Sequence, residues 1–121
     1  MNKINVAIAD DNQRTVEMMT ELLEQESDIE VIASADDGEE ALRIIKEKQP
    51  DVVLLDIIMP DQDGFSILKV IRSNQNYTPV ILLSGRGEDS AQVKGLELGA
   101  DDYITKPFSK TVLVSKIRAM V

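Results

Sequence analysis

The sequence predicts an α/β protein of the open-sandwich kind, with a parallel β-sheet covered by helices on both faces. Three observations lead there. Five short apolar runs are spaced along the 121 residues, amphipathic stretches separate them, and no hairpin signal joins one run directly to the next. Runs that are mostly continuous rather than alternating suit strands buried on both faces, as parallel strands are. Strands connected only through helices run parallel and cross over with right-handed chirality.

The first run is Ile4–Ala9, and the stretch after it places Val16, Met19, Leu22 and Leu23 on one helical face. The second, Ile29–Ala33, is followed by Ala41, Leu42 and Ile45 on another such face. The third, Val52–Leu55, precedes a helix whose apolar positions are Phe65, Leu68 and Ile71. The fourth is Val80–Leu83. The segment behind it, from Asp89 to Leu98, is the weakest helix, because Gly95 interrupts it and its apolar face is thin. Gly99 supplies a C-terminal stop for that helix. A shorter and more polar fifth run lies around Tyr103–Thr105, and Leu113, Ile117 and Met120 form the face of the last helix.

The totals exclude several function classes. The length fits one domain, residues 1–121, with a real core. Hydrophobic residues make up 43% and charged residues 29%, ordinary values for a soluble globular protein. No stretch approaches the ~20 apolar residues that span a bilayer, and Met1-Asn2-Lys3 leads into a strand rather than a signal peptide. No membrane association is expected, and a cytoplasmic setting fits a chain without cysteine. A net charge of −9 argues against direct contact with nucleic acid. The absence of histidine removes imidazole acid/base catalysis, His metal ligands and any phosphohistidine on this chain.

With aromatics at 3% and no tryptophan, a flavin-binding module of the same architecture is disfavoured. A phosphatase or nucleotide hydrolase is disfavoured too, since no GxxxxGK[ST] loop exists and Gly85-Arg86-Gly87 lacks the rest of a dinucleotide fingerprint. The acids of DQDG cannot begin a calcium loop, because Met59 holds the first-ligand position.

In open parallel sheets, ligands bind beyond the carboxyl ends of the strands, where the strand order reverses. The residues that follow each apolar run therefore carry the interest. After the first come Asp10 and Asp11; the third ends at Asp56, the fourth at Ser84 and the fifth at Lys106. Singly, each has an ordinary reading. Asp11 or Asn12 could cap the first helix, Asp56 and Ser84 could be loop residues, Lys106 a solvated lysine, and Tyr103 a half-buried strand residue. Together they place three carboxylates, a hydroxyl and an ammonium on one edge. Three close carboxylates repel one another and call for a cation. Oxygen ligands without His or Cys suit a hard ion, and so few of them suit Mg²⁺, which keeps several waters. A carboxylate between such an ion and an ammonium is arranged to accept a phosphoryl group, with Ser84 able to donate a hydrogen bond to it.

The fragments IADDN, LDIIMPDQDG, LLSG and GADDYITKPF together resemble the receiver domain of two-component response regulators, over essentially the whole chain and in the same order. The resemblance implies a flavodoxin-like three-layer sandwich, its five-stranded parallel sheet in the order 2-1-3-4-5 with five flanking helices. It implies that Asp56 is the phosphoacceptor. It implies an Mg²⁺ site, with Mn²⁺ as a substitute, in which Asp11 is a direct ligand, Asp10 acts mostly through water, and the backbone carbonyl of Ile58 contributes. Ser84 matches the switch hydroxyl, Tyr103 the switch aromatic and Lys106 the family's lysine, with a cis Lys106–Pro107 bond.

Such a domain is not an ordinary enzyme, since it catalyses only its own aspartate phosphorylation and dephosphorylation. A sensor histidine kinase, a phosphotransfer protein or a small phosphodonor supplies the phosphoryl group. Phosphorylation moves Ser84 toward that group, turns Tyr103 inward and biases the surface of the fourth helix, fifth strand and fifth helix. The segment GLELGADDYITKPFS is similar to regulators with a winged-helix DNA-binding output (OmpR/PhoB-like), which dimerise through that surface, while LDIIMP is similar to sporulation-type regulators. The candidate dimer residues are Lys94, Asp101, Asp102, Lys116 and Arg118, with Asp101 or Asp102 meeting Lys116 or Arg118 across the pair. Val112 stands where an acid is usual, which loosens the expectation by only ~0–1 kcal/mol, the worth of an exposed pair. No output domain is expected in this chain, and the control of transcription or of a partner would lie outside it.

Overall fold

A computed structural model of the protein describes residues 3–59, 61, 63–85 and 89–121. Along these residues the elements alternate: β1 (Ile4–Ala9), α1 (Gln13–Glu24), β2 (Ile29–Ala35), α2 (Gly38–Lys48), β3 (Val52–Asp56), α3 (Gly64–Ser73), β4 (Val80–Ser84), α4 (Asp89–Glu97), β5 (Asp102–Thr105) and α5 (Lys110–Ala119). The strands form one parallel sheet in the order β2-β1-β3-β4-β5. Three strands extend past the apolar runs. β2 continues to Ala35, and Asp56 and Ser84 are the last residues of β3 and β4 rather than the first of their loops. Backbone pairing carries the strand on after the side chains turn polar.

Alternation is missing from the sequence because each strand is buried twice. Val6, Ile8, Val52, Leu54, Ile81 and Leu83 pack on one face with Val16, Met19 and Leu23 of α1 and Leu113, Val114 and Ile117 of α5. Their neighbours Ala7, Ala9, Val53, Leu55, Val80 and Leu82 pack on the other, with Ala41, Ile44 and Ile45 of α2 and Ile67, Leu68 and Ile71 of α3. Each fully buried Val, Leu, Ile or Met among them contributes roughly 1.5–3 kcal/mol. The helical faces are rotated slightly from the sequence expectation. Ile44, Ile67 and Val114 are central, while Leu22, Leu42, Phe65 and Met120 are only half-buried at the margins.

Among the described residues, side-chain caps begin α1, α2, α3 and α5. Asn12 accepts from Thr15 N–H at 3.2 Å, Asp37 from Glu40 at 2.8 Å, Asp63 from Ser66 at 2.8 Å, and Ser109 from Val112 at 3.2 Å. Asn12 is thus the cap of α1, which leaves Asp11 available for other work. Asp61, in the loop after β3, reaches across to accept from Gly38 N–H at 2.7 Å and Glu39 N–H at 3.3 Å, tying that loop to the start of α2.

The thin apolar face of α4 also has a cause. A Cβ on Gly95 would stand 2.2 Å from Leu82 Cδ1, so the helix approaches the sheet through a glycine rather than through large side chains. At Gly99, just past α4, φ is +108°, a backbone state that side-chain-bearing residues rarely adopt.

Candidate functional site at the carboxyl edge of the sheet

Strand register brings the first two acids together. Ala9 pairs with Leu55 in the β1–β3 ladder, so the next residues stand side by side, Asp10 just past β1 and Asp56 at the end of β3. This is where the order of strands reverses. Asp10 has no solvent exposure, Asp56 is buried and Asp11 is exposed. One carboxylate oxygen from each of the three lies within 4.8 Å of the others.

The buried acids are held by backbone groups. Asp10 donates its N–H to the Ala35 carbonyl at 3.0 Å, and its Oδ1 accepts from Asn12 N–H at 2.9 Å. Asp56 Oδ1 accepts from Ile58 N–H at 3.2 Å. Gly64 keeps α3 close behind Asp56. A Cβ there would meet the Asp56 carbonyl oxygen at 2.5 Å and Ile57 Cα at 2.9 Å.

Lys106 arrives from β5. Ser84 and Thr105 are register partners, and Lys106 N–H donates to the Ser84 carbonyl at 2.7 Å, which carries the pairing one step further. The ammonium then donates to Asp10 Oδ2 at 3.0 Å and to Asp56 Oδ2 at 3.2 Å. The Lys106–Pro107 bond is cis, as the resemblance implies.

Electrostatics follow from burial and charge. Burial, and then the charge of Asp10, push the Asp56 carboxyl above its ordinary range; the Ile58 N–H and Lys106 oppose this without cancelling it. Burial pulls the Lys106 ammonium down, but its bonds and charge interactions with Asp10 and Asp56 outweigh that and hold it above its ordinary value. The lysine is therefore cationic at neutral pH, and its one positive charge stands against three carboxylates. The remaining negative charge and the all-oxygen donor set fit a small hard cation such as Mg²⁺.

Ser84 ends β4 further along the same edge, and Tyr103 sits in β5 two residues before its end. Ser84 is buried and has the parity of Leu82, which turns its side chain to the α4 side. There Gln92 of α4 donates to Ser84 Oγ at 3.5 Å and to Thr105 Oγ1 at 3.0 Å. Gln92 was not legible in the sequence, since it sits on the weakest helix and belongs to no motif. Tyr103 is half-buried against the α4-side core, with Lys116 Nζ 5.2 Å from its ring centre.

The five charged residues expected on a dimer surface have partners within the chain. Lys116 pairs with Asp102 at 3.0 Å. Asp101 pairs with Arg72 at 3.0 Å and accepts from Val80 N–H at 2.9 Å. Arg118 pairs with Glu26 and Asp28, each at 2.9 Å, and the Lys94 ammonium lies 4.8 Å from the centre of the Phe65 ring. Of the pairs expected between copies, Asp102–Lys116 thus forms within one chain, and Arg118 turns to the α1–β2 connection instead. Met1, Asn2, Pro60, Gln62, Arg86 and Gly87, which figure in the sequence fragments above, lie outside the described residues. Among the described residues, no helix is long and apolar enough to cross a membrane.

Comparison with known proteins bears on the same arrangement. The response regulator receiver domain family matches residues 6–118. The phosphate regulon transcriptional regulatory protein PhoB of Escherichia coli (strain K12) is 58% identical over 43 residues, 36% of this chain and 19% of that protein. Transcriptional regulatory protein CpxR of Escherichia coli (strain K12) is 57% identical over 44 residues, again 36% of this chain and 19% of that protein. The chain thus spans about a fifth of the length of these curated relatives. Among solved structures, the Francisella response regulator 1452 receiver domain superposes with a TM-score of 0.90 at 36% identity, covering 98% of this chain and 96% of that one. The response regulator domain of Thermotoga maritima CheB superposes at 0.91 and 32% identity, with the same coverages of 98% and 96%.

Proposed function

The chain belongs to the response regulator receiver domain family of two-component systems, and from that premise we propose that Asp56 is its phosphoacceptor, within a single receiver domain covering residues 1–121. One observation carries the assignment. Asp56 lies within hydrogen-bond distance of the Lys106 ammonium and beside the carboxylates of Asp10 and Asp11.

In the reaction, a carboxylate oxygen of Asp56 attacks the phosphorus of a phosphoimidazole or an acyl phosphate. The new P–O bond forms as the P–N or P–O bond to the donor breaks, and the electron pair leaves with the donor, which is then protonated or departs as carboxylate. Lys106 balances charge on the phosphoryl oxygens, and Ser84 donates a hydrogen bond to one of them. Asp10, Asp11, Asp56 and the Ile58 carbonyl would hold Mg²⁺ or Mn²⁺, which supplies charge neutralisation and orients the donor phosphate. The chain has no histidine, so a phosphohistidine donor must come from a sensor kinase or a phosphotransfer protein. Hydrolysis of the acyl phosphate at the same site returns Asp56, and in this sense the chain catalyses only its own modification.

The output surface in this reading is that of α4, β5 and α5, including Tyr103 and the charged residues Lys94, Asp101, Asp102, Lys116 and Arg118. Phosphorylation of Asp56 favours a homodimer or a partner complex through that surface, in the cytoplasm. Two relatives named as transcriptional regulatory proteins support a transcriptional output.

Incubation with acetyl phosphate and Mg²⁺, read by intact mass, tests the assignment. The wild-type chain gains one phosphoryl group, and Asp56→Asn gains none. Equal modification of both would overturn it.

A further inference from the structure

We propose that Gln92 is a positioning residue that holds the Ser84 hydroxyl on the α4 side of the sheet edge until a phosphoryl group competes for it. The proposal rests on the reading of Ser84 given above, and it concerns what restrains that hydroxyl beforehand.

Ser84 is 2% exposed, and a buried hydroxyl needs a partner. Among the described residues, its hydroxyl is bonded by the Gln92 amide and by neither Asp56 nor Lys106. The two bonds of that amide are unequal. Thr105 Oγ1 lies at 3.0 Å and Ser84 Oγ at 3.5 Å, longer than the roughly 2.7–3.2 Å of an ordinary N–H···O bond. Thr105 therefore anchors the amide, and the second N–H of the same nitrogen reaches Ser84. Because Ser84 and Thr105 are register partners on β4 and β5, one side chain from α4 spans both strands. The hydroxyl only accepts in this bond and keeps its own proton to donate.

The relative strengths set the direction of the effect. A hydrogen bond to an anionic phosphoryl oxygen is about twice as strong as a neutral one and shorter, so it displaces a 3.5 Å amide contact. Gln92 thus biases the resting state without blocking the change. When Ser84 leaves, the amide keeps Thr105, and Gln92 retains one of its two contacts with the strand ends. A contact of this weakness shifts an equilibrium by roughly two- to fivefold.

The test uses beryllofluoride, a phosphoryl mimic, titrated at saturating Mg²⁺ into the wild type, Gln92→Met, Ser84→Ala and the double variant. Methionine keeps the length of the side chain and removes the amide, and melting temperatures verify that each variant folds. The expected result is a two- to fivefold tighter apparent dissociation constant for Gln92→Met, roughly the scale of one weak hydrogen bond, and no difference between Ser84→Ala and the double variant. Mg²⁺ affinity measured alone stays unchanged, because Gln92 touches none of the carboxylates. Unchanged or weaker beryllofluoride binding by Gln92→Met, or a gain that persists in the Ser84→Ala background, would overturn the proposal. If Ser84→Ala binds beryllofluoride as the wild type does, the reading of Ser84 itself fails and the restraint falls with it.

Discussion

Lys106 and Asp10 meet at 3.0 Å across 96 positions of the chain, and the aspartate of the pair is sealed from solvent. The ammonium is thus first of all the counter-charge of a buried acid, and only through its second bond a neighbour of Asp56.

Removing that counter-charge is costly. Lys106→Met leaves Asp10 buried and unpaired and is expected to destabilise the metal-free chain by roughly 3 kcal/mol, the lower end for a broken buried pair because Lys106 is partly exposed. Chemical denaturation in a chelator measures this, and added Mg²⁺ should recover part of the loss. A loss below about 0.5 kcal/mol, the range of ordinary surface changes, would show the pair to be unimportant.

Mg²⁺ itself should stabilise the fold by relieving the repulsion among Asp10, Asp11 and Asp56. At a tenfold excess over its dissociation constant the gain is about 1.4 kcal/mol, or roughly 5 °C in melting temperature. Asp11 is exposed, so Asp11→Asn should leave the metal-free stability within about 0.5 kcal/mol of wild type and abolish most of the Mg²⁺ shift. Equal melting of the wild type with and without millimolar Mg²⁺ would remove the site.

Asp56→Asn should stabilise the metal-free form by roughly 1 kcal/mol, a typical size for one substitution, and this gain should depend on pH. Burial first, and Asp10 second, raise the folded carboxyl above its ordinary value of 3.8. Between the two values the folded chain binds more protons than the unfolded one, so stability falls as pH rises through that window. Relative to Asp56→Asn, the wild type in chelator should therefore gain stability on acidification toward the unfolded value. A difference between the two that does not vary with pH would contradict the cause assigned here.

Gly64→Ala should cost ~1–3 kcal/mol, the usual range for overpacking, because the new methyl would press on the Asp56 carbonyl and on Ile57. The displacement bears on the strand end that carries Asp56, the proposed phosphoacceptor, so modification by acetyl phosphate should slow as well. Urea midpoints and intact-mass time courses report the two effects separately. Wild-type values for both would mean that the close approach is not tight in solution.

Much of this was legible because parallel strands write themselves as apolar runs, and the residue ending each run is the one at the ligand edge. Asp10, Asp11, Asp56, Ser84 and Lys106 could be read for that reason. What stayed hidden depends on distance between elements. Gly95 looks like an interruption until the spacing of α4 and Leu82 shows that a Cβ there would push the Leu82 side chain aside. The choice of Asn12 over Asp11 as the cap, the reach of Asp61 to α2, and the hold of Gln92 on two hydroxyls are matters of ångströms that no pattern along the chain encodes. Arg118 is a dimer-surface candidate by resemblance alone, yet Glu26 and Asp28 on the neighbouring connection claim it.

The lysine follows the last strand of the sheet, 50 positions beyond Asp56 and 96 beyond Asp10. During synthesis the two acids leave the ribosome long before their counter-charge does, and domains fold as units once enough chain has emerged. The buried Asp10 therefore gains its ammonium partner only after the final strand has emerged and joined the sheet, so the carboxyl edge is the last part of the fold to be neutralised.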